Sequence, residues 1–392
     1  MATLLRIEGS QPLFTTAPAF LGVNIDAASL YQGTRLDFSD ADLRQLGARL
    51  GGARSSAPMT LRVGGSTSDD LRTSADKNAS HGQVVLSPAY LDELLGFAQH
   101  CGFHLAWDLN ALKMRAADGS WNSTDARAVL EIMRAAKRPP WAVQLGNEPG
   151  HFETRNGAPT AAAHGADFLR LSRLLRQVFG GGANATTPRV QGPDACFGKG
   201  TDTSPCANLT YLRSFLTAAG PTTIDDLTVH DYGLVGPGKP GSQCDARSFL
   251  SAALWEAELL PHVAAWQKTR RELAPAARLV LSETASTADG GCPGLSNRFI
   301  AGFYFVSALG ALGDAGVSQV YRQDLVGFSG VNFGSSYALT GPAGWYSRAA
   351  SGPLTPHPDY FTALLWASLV DARRLRVATS RAGPAGPGLQ CT

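Results

Sequence analysis

Eight short apolar segments alternate with amphipathic helical segments along this chain of 392 residues. The apolar segments are rich in β-branched and aromatic residues, which is typical of buried strands. The predicted strands are Phe20–Ile25, Met59–Val63, His104–Leu109, Trp141–Gly146, Arg189–Gly192, Leu227–His230, Arg278–Ser282 and Val317–Tyr321. The predicted helices are Asp42–Leu50, Pro88–His100, Asp125–Ala136, Thr160–Phe179, Leu209–Ala219, Arg247–Leu273 and Asn297–Leu312. This order predicts parallel strands with crossover helices, and eight units in about 300 residues favour an α/β fold of the (β/α)8 TIM-barrel type over a doubly wound sheet.

The composition excludes several classes of protein. A hydrophobic content of 44% and a charged content of 17% indicate a globular chain with a sizeable core. The formal net charge is only +2, and the densest basic cluster, Arg373–Arg376, is short, so we expect no nucleic-acid partner. No apolar run reaches the roughly 18 residues that span a bilayer, so we expect no membrane span. Separately, we expect the protein to be a monomer.

The cysteines and glycosylation motifs bear on the compartment. The six cysteines include no C-x-x-C pair, although Cys196 and Cys206 bracket a polar loop and could form a disulfide in an oxidising compartment. Met1–Ile7 is interrupted by a charge and predicts a strand better than a signal peptide. Four N-x-Ser/Thr sequons favour a secreted or lysosome-like location, with the leader absent from this chain; they are at Asn78, Asn122, Asn184 and Asn208.

Two of the predicted strands run directly into a glutamate. Glu148 follows the fourth strand in Leu145–Pro149, and Glu283 ends the seventh strand in Leu279–Thr284. A TIM barrel carries its chemistry at the carboxyl ends of its strands, where a buried carboxylate is too costly to be structural filler. Two carboxylates near 5 Å apart are the catalytic pair of a retaining glycosidase. The sequence therefore predicts a glycosidase with Glu148 and Glu283 as its catalytic residues.

Other polar residues at the predicted strand ends suit this chemistry. Arg62 would hold Glu283 ionised, whereas a glycosidase acid at Glu148 needs a raised pKa. Either His230 or Tyr232 could orient Glu283. His230 and Arg62 also have structural interpretations: a histidine at a strand end is often only hydrogen-bonded, and the arginine belongs to a segment that could be a simple βα turn.

Six motifs in order along the chain carry a family resemblance. They are Phe20–Asp26, Leu61–Gly65, Asp108–Leu112, Gln144–Pro149, Val229–Tyr232 and Ser282–Thr284. With these motifs the chain resembles the family-79 glycoside hydrolases, the heparanase and β-glucuronidase group, from about Phe20 to Leu369.

The resemblance implies specific roles. Glu148 corresponds to the acid/base and Glu283 to the nucleophile of a retaining enzyme that cleaves β-linked glucuronic acid from a glycan or a small glucuronide. No metal or organic cofactor is implied. The expected substrate-binding residues, which include two strand-end residues taken from the barrel pattern (Arg62 and Gln323), are Asp26, Arg62, Asn147, His230, Tyr232, Gly290, Gly291 and Gln323.

The chain departs from the family pattern after the nucleophile. Ala288 stands where family members commonly have a tyrosine that helps to bind the uronate carboxylate, and Asp289 lies beside it. A carboxylate there would repel a uronate unless a cation such as Arg322 intervenes. This departure favours one alternative, a β-glycosidase of the same barrel clan for a neutral sugar. A further alternative, independent of this departure, is an inactive carbohydrate-binding barrel.

The ends of the chain predict a divided domain organisation. We expect residues 1–15 to supply an N-terminal strand of a β-sandwich and residues 16–372 to form the catalytic barrel. Family members continue past the barrel into a sandwich, whereas residues 373–392 have room only for a truncated sandwich strand and a Pro/Gly-rich, disordered tail. The expected sandwich is therefore a remnant.

Overall fold

The barrel strands form where the sequence predicts them. The computed structural model describes residues 3–15, 19–30, 35–53, 58–73, 84–150, 158–181, 186–197, 209–288, 290–327, 336–342, 353–370 and 373–381. The strands are β1 Thr3–Thr15, β2 Leu21–Asp26, β3 Thr60–Gly64, β4 Leu71–Thr73, β5 Val84–Leu86, β6 His104–Leu109, β7 Ala142–Leu145, β8 Arg189–Cys196, β9 Asp226–His230, β10 Arg278–Thr284, β11 Gln319–Arg322, β12 Thr340–Pro342, β13 Leu354–Pro356 and β14 Arg373–Arg381.

Helices separate most of the barrel strands. The α-helices are α1 Ala41–Gly51, α2 Pro88–Cys101, α3 Thr124–Ala135, α4 Ala161–Phe179, α5 Leu209–Ala219, α6 Ala246–Leu250, α7 Ala252–Leu273, α8 Phe299–Asp314 and α9 Pro358–Leu369. Two short 3₁₀ helices, Ala27–Leu30 and Ser66–Asp70, follow the first two barrel strands. Helix α2 shows the local rules: the Ser87 side chain caps its start, Pro88 occupies the first turn, and Gly102 ends it at φ 74°.

Eight parallel strands close into one barrel. Their order around it is β2, β3, β6, β7, β8, β9, β10 and β11, and β11 pairs with β2. The predicted (β/α)8 fold is therefore confirmed. Because every strand points the same way, the residues that end the strands meet at one rim, and both predicted glutamates lie there.

Two predicted element boundaries are wrong. The predicted helix Arg247–Leu273 is divided into α6 and α7, because Ser251 adopts an extended backbone at φ −101° and ψ 95°. The predicted strand Arg189–Gly192 continues to Cys196 as β8. The pairing of β8 with β9 shifts between Gly192 and Ala195, and a proline is tolerated at such an irregularity because no ladder hydrogen bond is needed there.

The first and last described strands form a separate small sheet. β1 and β14 pair antiparallel, from Thr3 opposite Arg381 to Thr15 opposite Arg373. This pairing is the one expected of a sandwich remnant, while the domain boundaries at residues 15 and 372 stay a prediction. The tail after Arg381 lies outside the described residues.

One disulfide is present that the sequence did not predict. Cys244 and Cys292 are bonded, with their Cα atoms 5.5 Å apart. The suggested Cys196–Cys206 pair cannot be followed, since Cys206 lies outside the described residues.

Of the sequons, Asn122 is exposed at the start of α3, and Asn78, Asn184 and Asn208 are outside the described part. No helix in the described ranges is long and apolar enough to cross a membrane.

Candidate active site

The two predicted glutamates lie side by side at the carboxyl rim of the barrel. A carboxylate oxygen of Glu148 and one of Glu283 are within 4.8 Å of each other. Glu283 is in β10, and its side chain is 9% exposed. Glu148 follows β7 with φ 49°, and its side chain is 15% exposed. This glutamate pair thus combines close approach with access from solvent.

Arg62 occupies the barrel interior beneath the glutamate pair and is fully buried. Although burial lowers the pKa of its guanidinium, Asp194 and Glu283 raise it by more, so Arg62 stays charged. Its hydrogen bonds go to Gln144 Oε1 (2.8 Å), Glu283 Oε2 (2.9 Å), Asn147 Oδ1 (2.8 Å) and Asp194 Oδ2 (2.9 Å). The predicted contact between Arg62 and Glu283 is therefore present.

Tyr232 holds the second oxygen of Glu283. Its hydroxyl donates a hydrogen bond of 2.5 Å to Glu283 Oε1. Burial, and next the negative charge of Glu283, raise the pKa of Tyr232 well above its ordinary value, so the phenol keeps its proton. Both carboxylate oxygens of Glu283 thus have a donor.

His230, the last residue of β9, contacts the other glutamate. Its Nδ1 is 3.1 Å from Glu148 Oε1 and 3.8 Å from Glu283 Oε2, so the hydrogen bond expected from His230 or Tyr232 to Glu283 comes from Tyr232. Burial lowers the pKa of His230, but Glu283, Asp194 and Glu148 outweigh it and raise the pKa to about 10. This shift favours the imidazolium form, in which the Nδ1–H of His230 donates to Glu148 Oε1.

Three further predicted residues are hydrogen-bonded at the rim. Asp26, at the end of β2, accepts from Gln323 Nε2 at 3.0 Å and from the Ala28 amide at 2.8 Å. Burial raises the pKa of Asp26 to about 7. The Oδ1 of Asn147 accepts from Arg62, and its amide nitrogen donates to Ser66 Oγ at 3.5 Å, with a second hydrogen to offer to a sugar hydroxyl.

Gly290 and Gly291 lie in the segment that follows β10. Both have positive φ, 88° and 85°, which favours glycine. The Gly290 carbonyl accepts from Ser336 Oγ at 2.9 Å, and a Cβ on Gly291 would come within 2.7 Å of that Oγ. The segment is therefore held close to the chain around Ser336, and its contact with a sugar stays a prediction.

The structure describes only part of the segment in which the chain departs from the family pattern, Ala288 and Asp289. Ala288 is partly buried, and Asp289 lies outside the described residues. Arg322 is buried and donates to Asp359 Oδ2 at 2.7 Å and to the Tyr337 carbonyl at 2.8 Å. The cation considered as a counter-charge for Asp289 is thus already paired with another aspartate.

The sequence reasoning missed Asp194. It lies in β8 and is fully buried, with φ 55°. Its Oδ1 accepts from Ser282 Oγ at 2.7 Å and its main-chain carbonyl accepts from the Glu148 amide at 3.0 Å. The predicted strand ends at Gly192, which puts Asp194 in a loop, whereas β8 runs on to Cys196; the Gly192–Pro193–Asp194 run is the available signal.

The donor set around the pair does not suit a metal ion. Among the described residues, Glu148, His230 and Glu283 could offer ligand atoms at suitable distances. Arg62 at 2.9 Å from Glu283 and the imidazolium of His230 already supply two positive charges. A cation would be repelled by both, and a protonated imidazole is not a ligand.

The sequence of this chain matches a known family of enzymes. Residues 37–310 match the sequence model of glycosyl hydrolase family 79, N-terminal domain. The chain belongs to glycosyl hydrolase family 79. The family resemblance stated from the six motifs is thereby confirmed.

Curated relatives of this family-79 chain include enzymes and an inactive protein. Heparanase of Mus musculus is 29% identical, over 95% of this chain and 71% of the relative. Inactive heparanase-2 of Homo sapiens is 26% identical, over 76% of this chain and 45% of that protein. Baicalin-beta-D-glucuronidase of Scutellaria baicalensis is 23% identical, over 82% and 60%. The chain thus spans between 45% and 71% of the length of these relatives.

Solved structures with the same fold are more distant in sequence. A 4-O-alpha-L-rhamnosyl-beta-D-glucuronidase from Fusarium oxysporum is similar with a TM-score of 0.58 at 17% identity, over 93% of this chain and 72% of that chain. An alpha-L-arabinofuranosidase from Thermotoga maritima gives 0.62 at 13% identity, over 97% and 76%. At these identities the likeness shows the barrel fold.

Proposed function

We propose that this family-79 protein is a retaining glycoside hydrolase that releases β-linked glucuronic acid by double displacement. The observation that carries the proposal is the distance within 4.8 Å between carboxylate oxygens of Glu148 and Glu283. Retaining enzymes hold their two carboxyl groups about 5–5.5 Å apart, whereas inverting enzymes need about 6.5–9.5 Å for an intervening water.

In the first step, Glu283 attacks the anomeric carbon while Glu148 gives its proton to the departing glycosidic oxygen. A covalent glycosyl–enzyme ester forms at Glu283. In the second step, Glu148 takes a proton from water as the water attacks the anomeric carbon and frees Glu283. The proposed roles fit the contacts: Arg62 and Tyr232 hold Glu283 from two sides, and Glu148 is the more exposed carboxylate.

The glucuronic acid assignment is supported by the relatives' names. One is a baicalin-beta-D-glucuronidase and one structural neighbour is a rhamnosyl-beta-D-glucuronidase, and both names specify a β-glucuronide. The glutamate pair itself does not specify a uronate, because the two carboxyl groups act at the glycosidic bond and not on the carboxylate of the sugar. The sugar is therefore a separate part of the proposal from the reaction.

Substitution of either glutamate tests the reaction. Glu283→Gln and Glu148→Gln each preserve size and remove one carboxylate, so we expect each to lower kcat on an aryl β-glucuronide by about 10³-fold or more. Proton NMR of the first product should show the β-anomer in the wild-type reaction. Turnover at the wild-type rate in either variant, or an α-anomer as first product, would contradict the proposal.

A neutral sugar is the second candidate, favoured by Ala288 in place of the tyrosine. Comparing kcat/KM for an aryl β-glucuronide and the matching β-glucoside, with Glu283→Gln as the blank, separates the two. A preference for the glucoside would replace the sugar and keep the mechanism. Wild-type protein that binds glucuronides and releases no sugar would instead indicate an inactive barrel, as the relative named inactive heparanase-2 illustrates.

We also propose that the protein works in a secreted or lysosome-like compartment. The Cys244–Cys292 disulfide supports this, because disulfides persist in oxidising compartments. Asn122 is exposed, as a glycosylated sequon must be. Expression with a secretion leader, followed by mass spectrometry of the Asn122 peptide, tests glycosylation directly.

A further inference from the structure

One buried carboxylate connects the two halves of the glutamate pair without belonging to it. Asp194 Oδ2 accepts from Arg62 Nη2 at 2.9 Å, and the same guanidinium donates through Nη1 to Glu283 at 2.9 Å. Its other oxygen, Oδ1, lies 3.7 Å from His230 Nε2, and that ring donates through Nδ1 to Glu148. Asp194 is thus the anion shared by the two cations that hold the glutamates.

The contacts of Asp194 fix it in place. Ser282 Oγ donates to Oδ1 at 2.7 Å, and Gln144 Nε2 donates to the same oxygen at 3.2 Å. The Asp194 amide donates to Thr228 Oγ1 at 2.9 Å, and its carbonyl accepts from the Glu148 amide. The side chain has no exposed surface. Such a group has one orientation available, so it can transmit that orientation to its partners.

The charges of the cluster also depend on Asp194. Arg62 and His230 carry two positive charges, which Asp194 and Glu283 balance. A proton on Glu148 then leaves the five groups neutral, which is the least costly state in a buried site. Without the charge of Asp194, the cluster with a protonated Glu148 would be positive, and the nearby cations would favour loss of the protons on Glu148 and His230.

We propose that Asp194 is a positioning residue that keeps His230 charged as the hydrogen-bond donor to Glu148 and keeps Arg62 shared between two carboxylates. This rests on the proposed function of the glutamate pair. The ionised state that the role requires is favoured: burial raises the pKa of Asp194, but Arg62 and His230 lower it by more, to well below its ordinary value. The groups that face His230 are Glu148 after β7, Asp194 in β8 and Glu283 in β10, with Arg62 of β3 beyond them.

The test is Asp194→Asn. Asparagine has the same shape and tolerates the positive φ of this position, so the variant removes charge and little else. We expect kcat on an aryl β-glucuronide with a poor leaving group to fall by about 10- to 100-fold, with KM changed less than about threefold. A glycoside with a strongly activated leaving group should lose much less, because its departure needs no proton from Glu148.

The pH dependence gives a readout that a merely structural role would not move. His230 and Glu148 should both lose protons more readily in Asp194→Asn, so the alkaline limb of kcat/KM should move to lower pH. Nitrogen-15 NMR of labelled histidine, assigned with His230→Asn, should show an imidazolium that titrates well above the ordinary histidine range in the wild type and lower in the variant. This titration needs no turnover, so it tests Asp194 even if the wild type proved inactive.

Asp226→Asn is the matched control. Asp226 is also fully buried and is paired with Arg189 at 2.9 Å and Arg278 at 2.6 Å, but it begins β9 at the opposite end of the barrel. The Asp226→Asn variant should be less stable than wild type, while its kcat and the pH dependence of kcat/KM should stay the same. Equal losses of kcat in the two variants, or an unchanged His230 titration in Asp194→Asn, would overturn the proposal.

Ser282→Ala decides the matter if Asp194→Asn does not fold. It keeps every charge and removes one of the bonds that orient Asp194. We expect kcat to fall by about threefold or more at unchanged KM. A wild-type kcat in Ser282→Ala would then show that the orientation of Asp194 is irrelevant to the reaction.

Discussion

Glu283 has a donor on each carboxylate oxygen before any substrate arrives. The Arg62 guanidinium holds Oε2 and the Tyr232 hydroxyl holds Oε1. The guanidinium is planar and buried. The plane of the Glu283 carboxylate is therefore set by Arg62 of β3, by its own strand β10 and by Tyr232, two residues after β9. A nucleophile must be aligned with the anomeric carbon within a few tenths of an ångström, and such fixed donors supply that alignment.

Removing the tyrosine hydroxyl tests this alignment. In Tyr232→Phe we expect kcat to fall by about 10- to 100-fold, because Glu283 can rotate about its bond to Arg62, while the thermal midpoint changes little. Steady-state kinetics on the aryl glycoside measures it. Tyr321→Phe is the control, since the Tyr321 hydroxyl is also buried but accepts from Gln191 Nε2 at 2.9 Å inside the barrel. Similar kcat in the two variants would rule out a role for the Tyr232 hydroxyl in alignment.

At the scale of elements, the disulfide joins two segments of the rim. Cys244 lies between β9 and α6, and Cys292 follows β10 close to Gly290 and Gly291. The two segments also contact through the Leu234 amide, which donates to the Ser286 carbonyl at 2.9 Å. The bond therefore restrains the segment in which the sugar-binding glycines are predicted.

The double variant Cys244→Ser/Cys292→Ser should be less stable. The bond closes a separation of 48 residues, for which loop entropy gives roughly 4 kcal/mol, with measured effects typically about 2–4 kcal/mol. Urea unfolding of wild type and variant measures the difference. Wild type treated with a reductant should unfold like the variant; if oxidised wild type already does so, the bond contributes nothing to the free energy of unfolding.

The element boundaries show what local patterns can and cannot predict. Hydrophobic periodicity located all eight barrel strands, since each must present apolar residues to the core. It could not show that Ser251 interrupts the helical segment between β9 and β10. Nor could it show that β8 passes Pro193, because that depends on an irregular pairing with β9.

At the scale of the whole molecule, the two ends of the barrel chain meet. Gln323, just after β11, donates to Asp26 at the end of β2, and the Tyr360 hydroxyl of α9 donates to the Leu46 carbonyl of α1 at 2.9 Å. Asp26 is buried where β2 and the residue after β11 meet, and this burial raises the pKa of its carboxyl group to about 7. The folded molecule therefore binds a proton that the unfolded chain releases near pH 4.

The free energy of unfolding should depend on pH through Asp26. Between about pH 4 and 7 only the folded state keeps this proton, so its contribution to stability is lost as pH rises, by up to about 4 kcal/mol at about 1.4 kcal/mol per pKa unit. Asp26→Asn should remove this dependence, so the variant should gain on the wild type as pH rises. Urea midpoints from pH 4 to 8 measure it.

Asp226 should contribute to the free energy of unfolding with the opposite pH dependence, and Asp226→Asn tests this. Burial raises the pKa of Asp226, but Arg189 and Arg278 lower it by more, so its contribution is present above the unfolded pKa and disappears only in acid. The difference between this variant and wild type should be constant from pH 5 to 8. If the urea midpoints of Asp26→Asn and Asp226→Asn, each relative to wild type, changed with pH in the same way, the Asp26 proton would not be the cause of the pH dependence.

The sequence by itself determined the strand order, the barrel and the positions of Glu148 and Glu283, because apolar periodicity and strand ends are local properties of the chain. The polar residues at the predicted strand ends extended this to Arg62, His230 and Tyr232. Only the tertiary structure decided which partner each residue takes: Tyr232 holds Glu283, His230 donates to Glu148, and Arg322 pairs with Asp359. It also brought in Asp194, 132 residues from Arg62. The physical reason is that these pairings depend on distance and burial across a closed barrel, and neither can be read from separation along the chain.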